Sequence, residues 1–289
     1  MSVGATNVKG PTGEEETLDM EHSEMKRREV KAISRLRHLL LEDPRLTPRT
    51  DEEFLMRFLR VRKYDVEAAL KTVENYYRHR AACSTVYSDF LPSSIDPSSR
   101  NILMILPSRD VHGRLVILMR AGVWVPDRRT FEPALKALLV CLEYMAADTT
   151  SQTAGVSILV DSAGYTLNSL LSYNLVLTRR FFEYLQNCMP MRLKALHVVR
   201  QSRAIYFLLA IVRPFPKQKL AKRIHFHGTD YNELHKEMPP SMLPEEYGGH
   251  AAPLDIDGFW QRLELQDPMF IENNRFGYPI SELKRRASQ

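Results

Sequence analysis

Apolar positions in the first third of the chain recur at helical spacing. Across residues 21–41, Ile33, Leu36 and Leu40 share one face, and Pro44 and Pro48 close the segment. A second helix is predicted after Thr50 or Asp51, with Phe54, Leu55, Phe58 and Leu59 inward. A third starts from the N-cap residue Asp65 and runs through Val66, Ala69, Leu70, Val73 and Tyr77. Residues 88–100 are rich in turn formers and carry no period, so they read as a boundary.

Beyond that boundary the periods alternate, as an α/β domain requires. Two short apolar runs, 102–106 and 115–119, flank a turn-like stretch at 109–113 and predict a hairpin. Thr130 is positioned to cap a helix over 131–147, and 156–160 reads as a buried strand. A single long helix is expected over 167–188, followed by strands over 196–199 and 223–227. Between those strands lies the longest unbroken apolar run, residues 204–212, bracketed by Arg203 and Arg213 and followed by Pro214 and Pro216. A last helix is expected over 255–265, with the tail packing back on the body or fraying. The expected organisation is a lead at 1–20, a helical domain at 21–90, an α/β domain at 95–250 and a C-terminal tail at 251–289.

Charge changes the picture in one place. From Tyr184 to Thr229 there are nine Lys or Arg residues and no Asp or Glu, within a chain whose net charge is only +5. An apolar helix framed by unopposed cations suits a surface that meets an anionic membrane. Nine apolar residues fall far short of the roughly 20 that span a bilayer. Residues 1–20 lack the apolar core of a secretory signal, and Gly10, Gly13 and the Glu14 to Glu16 run read as a flexible lead. Three widely spaced cysteines fit a reducing compartment. The expected location is cytoplasmic, with peripheral contact on intracellular membranes, endosomal ones included, and the expected state is a monomer.

The cations themselves fall into groups. Lys219 and Arg223 are four apart and share a side of a helical turn, with Lys222 close by. Arg192 and Lys194 straddle Leu193 at strand spacing and share a face. Arg grips phosphate through a planar fork and Lys acts as a compact charge, so such clusters suit a phosphorylated headgroup.

Four motifs, in order, carry a family resemblance: 54-FLMRFLRVRKYD-65, 75-NYYRHR-80, 223-RIHFHG-228 and 243-LPEEYGG-249. Through them the chain resembles the CRAL-TRIO lipid-binding family, in its tocopherol-transfer and retinaldehyde-binding branch. The resemblance covers roughly residues 51–249. It implies an N-terminal all-helical domain followed by a mixed β-sheet with flanking helices, forming a lipid cavity closed by a mobile helix at 204–212. It also implies a phosphoinositide site at Arg62, Arg192, Lys219 and Arg223. By the same match, the wall residues on the helix at 131–147 and the strand at 156–160 are Leu135, Leu138, Leu142, Val156 and Val160. Those expected along 167–191 are Leu167, Tyr173, Phe181, Tyr184, Met189 and Met191. Leu196, Ile205, Leu208 and Ile211 complete the set. Tocopherol-binding members are expected to carry hydroxyl side chains along the 138–142 turn. This chain has Leu at both ends, with Tyr173 and Tyr184 nearest, which leaves the cargo open among tocopherol, a retinoid and a similar lipid.

Enzyme signatures are missing from the sequence: no nucleophile elbow, phosphate loop, dinucleotide fingerprint or zinc-protease motif occurs. His225 and His227 share a strand face but lack a nearby Cys or carboxylate, so they read as structural, and neither a metal nor a cofactor is expected. Asp161 follows a strand as catalytic acids often do, yet no base or oxyanion donor can be assigned to it. Nucleic acid is disfavoured because the cations surround an apolar block and do not alternate with stacking aromatics. The reading is a carrier of one small hydrophobic ligand that docks on phosphoinositide-containing membranes. The alternative is a phosphoinositide-binding trafficking adaptor regulated by bound lipid.

Overall fold

The computed structural model describes residues 13–124, 131–171 and 173–279. Three helices open the chain: α1 (Gly13–Leu41), α2 (Glu52–Val61) and α3 (Val66–Ala82). The Asp51 carboxylate accepts from Phe54 N and caps α2, and Asp65 does the same for α3 through Ala68 N. α1 starts at Gly13, inside the stretch expected as a flexible lead. Leu36, Leu55, Phe58, Leu59 and Val73 are fully buried where the three helices meet.

The short α4 (Pro97–Arg100) leads into β1 (Leu103–Ile105), which pairs antiparallel with β2 (Leu115–Arg120), as the hairpin pattern predicts. The chain then passes through α5 (Phe131–Ala147) and α6 (Thr149–Ala154) to β3 (Val156–Asp161). Thr130 lies outside the described residues. From β3 it continues through α7 (Leu167–Leu171), α8 (Leu175–Glu183) and a π-turn at Tyr184–Cys188 to β4 (Leu193–Val199). α9 (Arg203–Val212) and α10 (Gln218–Ala221) connect β4 to β5 (Ile224–Gly228), and α11 (Asn232–Glu237), α12 (Ile256–Glu264) and α13 (Asp267–Asn274) complete the order.

The single helix expected over 167–188 is therefore broken. Asn174 accepts from Val176 N and Leu177 N at 3.1 Å each and starts a new helix there. The C-terminal segment packs back: Thr47 and Gly277 form an isolated antiparallel bridge, and Phe270 is fully buried.

Five strands lie in the order β1-β2-β3-β4-β5, with β2 to β5 parallel. The order never reverses, so crossovers of one hand bring their helices to the same face. That face carries Met119, Val160, Leu196 and Val198 towards α5, α8 and α9.

The opposite face mixes buried apolar side chains, Leu118 and Leu159 among them, with polar ones. Arg114 pairs with Asp110 and Glu237, and Ser157 donates to Asp110 at 3.3 Å. Beside them His197 stacks with His225 and His227 at centroid separations of 5.4 and 5.2 Å. Burial, followed by the imidazoles of His227 and His225, holds His197 down at about 4, and His227 is also lowered, chiefly by burial. A histidine that resists protonation when folded stabilises the fold fully above about pH 6.5, and the gain is lost as pH falls towards 4. Stability is expected to drop by about 3 kcal/mol over that window through His197. Chemical denaturation of wild type and His197→Phe at pH 7 and pH 4.5 checks this: the variant should lose less stability between the two.

Candidate functional site

Between the sheet and its helices lies a cavity of about 200 Å³. α5 supplies Phe131, Ala134, Leu135 and Leu138, and α8 supplies Thr178, Phe181 and Phe182. The floor is the sheet, and α9 covers the top with Ile205, Leu208, Leu209 and Val212. The remaining wall includes Ile102, Leu103, Trp124, Tyr165 and Tyr173. Among the described residues the lining carries no Lys, Arg, Asp or Glu. Such a space receives an apolar guest without leaving a buried charge unpaired.

Of the wall positions anticipated from the sequence, Leu135, Leu138, Val160, Tyr173, Phe181, Leu196, Ile205 and Leu208 meet at this cavity. The others do not. Leu142 and Val156 are fully buried in the surrounding core, and Met189 and Met191 are buried just past the π-turn. Tyr184 turns its ring against His79, 5.3 Å away, on α3. Leu167 and Ile211 point outward. Pattern reading passed over Val198, Leu209 and Val212, although each repeats a recognised position: Val198 is two residues along the strand from Leu196, and Leu209 and Val212 lie one turn from Ile205 and Leu208. Trp124, Tyr165 and Thr178 carried no periodic signal.

α9 is apolar on all sides, and the fold gives it two faces. Ala204, Ile205, Leu208 and Val212 are buried, while Tyr206, Phe207 and Ile211 are 55%, 58% and 43% exposed. α9 packs on α7 and α8, whose Leu167, Leu171, Leu175 and Val176 are exposed as well. Exposed apolar side chains concentrated on neighbouring helices mark an interaction surface. The end of α9 is tethered by Gln186, which donates to Phe215 O at 3.3 Å and accepts from Lys217 N at 2.6 Å. At its start, Ser202 Oγ donates to Tyr165 O at 2.8 Å. No described helix is long and apolar enough to cross a membrane.

The four anticipated cations lie outside the cavity lining. Arg62 Nε donates to Thr72 Oγ1 at 2.7 Å, and Arg192 Nη2 donates to Arg60 O at 2.7 Å. Arg223 donates to Leu193 O, and Lys219 is exposed. Burial lowers Arg62, and Arg192 pushes it the same way. Lys194 is lowered first by burial and then by Arg192, Arg223, Arg114 and Lys219, so these cations lie near Lys194. Among the described residues none of Arg62, Arg192, Lys194, Lys219 and Arg223 forms an ion pair with a carboxylate. Gly155 keeps one edge of the cluster tight: its φ is +85°, and a Cβ there would fall 2.5 Å from Arg192 O.

Asp161 has a structural duty. It pairs with Arg200, accepts from Tyr247 Oη at 3.1 Å and accepts from Ala163 N at 3.0 Å, closing the turn after β3. Among the described residues no group of His, Cys, Asp and Glu has the arrangement of a metal site, the three stacked histidines included.

Comparison with known proteins agrees with this geometry. The CRAL/TRIO domain profile matches residues 99–249, and a Pinta-like UBA domain profile matches residues 25–95. Alpha-tocopherol transfer protein-like from Mus musculus is 34% identical over 271 residues, 90% of this chain and 78% of the relative. Clavesin-2 from Homo sapiens is 30% identical over 249 residues, 83% of this chain and 75% of the relative. The crystal structure of Sfh5 shares the fold at a TM-score of 0.55 and 11% identity, covering 81% of this chain and 91% of that one. A sheet with its crossover helices gathered on one face, matched by the profile over more than half the chain and by such relatives, leaves one assignment: the chain belongs to the CRAL-TRIO family.

Proposed function

We propose that this chain is a lipid-binding and transfer protein that carries one small hydrophobic ligand under α9 and exchanges it at phosphoinositide-containing membranes. The observation that carries this reading is the double face of α9, apolar towards an uncharged cavity and apolar towards solvent. In water, swinging α9 outward would expose both faces. Against a bilayer, the lipid supplies the lost burial, at roughly 1.5–3 kcal/mol for each large apolar side chain. Opening is therefore coupled to docking, and loading and release need no covalent step. Arg62, Arg192, Lys219 and Arg223 would hold the phosphoinositide headgroup, while the protein works from the cytoplasm as a peripheral monomer. The names of the relatives support a tocopherol-like cargo.

The test uses the lipid recovered from the protein's own organic extract, followed by mass spectrometry as it moves from donor to acceptor vesicles. Phe207→Asp with Ile211→Asp is expected to slow transfer at least tenfold and to leave thermal stability nearly unchanged, since both side chains already face solvent. Undiminished transfer would remove α9 from the mechanism.

A second reading has one observation in its favour: none of the four cations touches the cavity, so headgroup binding and cargo need not be coupled. On that view the chain is a phosphoinositide-reading trafficking adaptor whose bound lipid regulates it. Charge reversal at the cation cluster weakens vesicle binding under both readings, but only the carrier reading has cargo delivery fall with it.

A further inference from the structure

Tyr165 lies between β3 and α7 and is one of the residues that line the cavity. The residue is 4% exposed, and its hydroxyl, shut off from solvent, has no hydrogen-bond partner. Its backbone is fully engaged: the amide donates to Ser162 O at 3.1 Å and the carbonyl accepts from Ser202 Oγ at 2.8 Å. The ring is thus held at the base of α9 with its polar tip unused. Leaving a buried hydroxyl unpaired is costly, and buried polar groups nearly always have a partner.

Two other polar groups sit in the same lining. Thr178 Oγ1 donates to Asn174 O at 2.7 Å, which leaves its lone pairs to accept. Tyr173 is held up at about 12 by burial, with Thr178 pulling the other way, and Tyr165 is raised by burial first and then by Tyr173. Both phenols therefore stay neutral at physiological pH. With no cation in the described lining, an ionised guest would be buried without compensation.

We propose that Tyr165 is the polar contact for the cargo, and that the cargo is a neutral lipid with a single hydroxyl or carbonyl group. A phenol both donates and accepts, so it serves an alcohol or an aldehyde equally. A fatty acid carboxylate and a phosphorylated headgroup are the wrong chemistry for this wall. The inference rests on the reading of the cavity as the ligand site.

The test offers the full-length protein three probes together in phosphatidylcholine vesicles: 1-octadecanol, octadecane and octadecanoate. Lipid carried by the re-isolated protein is measured by gas chromatography with mass spectrometry. Tyr165→Phe keeps the ring and removes only an unpartnered hydroxyl, so its melting temperature should match wild type. The ratio of octadecanol to octadecane is expected to be about tenfold higher in wild type than in the variant, and octadecanoate should be the least bound in both. Equal ratios in the two proteins would overturn the role of Tyr165 and leave water as the partner of its hydroxyl. Preferential uptake of octadecanoate by wild type would overturn the neutral class. If neither protein takes up any probe, the cavity reading itself fails and this inference with it.

Discussion

Reversing Lys219 and Arg223 to glutamate is expected to weaken binding to phosphoinositide-containing vesicles by two to three orders of magnitude. Each Lys or Arg near an anionic surface is worth about 1 kcal/mol, and a reversal replaces an attraction with a repulsion. Two reversals therefore remove roughly 4 kcal/mol before screening, and raising the salt should shrink the difference between variant and wild type. Arg223 also donates to Leu193 O, so the double variant carries a structural change at the start of β4. Lys219→Glu alone is the clean control: its side chain is exposed and forms no described ion pair, so only the electrostatic part should be lost. Vesicle flotation with and without phosphoinositide measures both. Equal flotation of Lys219→Glu and wild type on phosphoinositide vesicles would remove the cation cluster from membrane recognition.

The extent to which the sequence announces this site depends on what kind of information each part needs. Helices α2 and α3 were legible because Asp51 and Asp65 cap them and the apolar spacing runs uninterrupted behind each cap. The cation cluster was legible in part, since Arg192 and Lys194 share a strand face, but Arg62 reaches it from the end of α2 and could be placed only by resemblance. The cavity wall was harder. Periodicity says which face of an element is apolar and nothing about position along it. Leu138 lines the cavity while Leu142, one turn later, is packed in solid core, and Val160 and Val156 differ in the same way along β3. An apolar residue facing a hollow and one facing core have identical patterns. Tyr165 stayed hidden for another reason: it sits in a turn, where no period exists, and its meaning comes from a hydroxyl that finds no partner.

Removing the Glu143 carboxylate is expected to cost about 3–5 kcal/mol, the loss that follows when a buried ion pair is broken from one side. Glu143 lies on α5 with its side chain 3% exposed, 3.9 Å from the Arg57 guanidinium of α2, which is equally buried. Tyr76 of α3 donates to it at 3.0 Å and Asn273 of α13 at 3.3 Å. Glu143→Ala leaves the Arg57 charge in the interior, where among the described residues the Phe54 ring, 5.7 Å away, remains to face it. A fall in melting temperature on the order of 10 °C should follow for a chain of this size. Glu143→Leu combined with Arg57→Met should recover most of the loss, because an apolar pair needs no compensation. If the double variant is no more stable than Glu143→Ala, lost packing and not the stranded charge accounts for the effect. The network ties the cavity wall on α5 to α2, α3 and α13. The chain is held just beyond both ends of α9, by Gln186 and by Ser202, while among the described residues none of the side chains of α9 itself forms a hydrogen bond or an ion pair. A hollow persists only if most of its wall is fixed, and it can open only where the wall is not. Glu143 holds the fixed side, and on the proposed reading α9 is the part of the wall that opens.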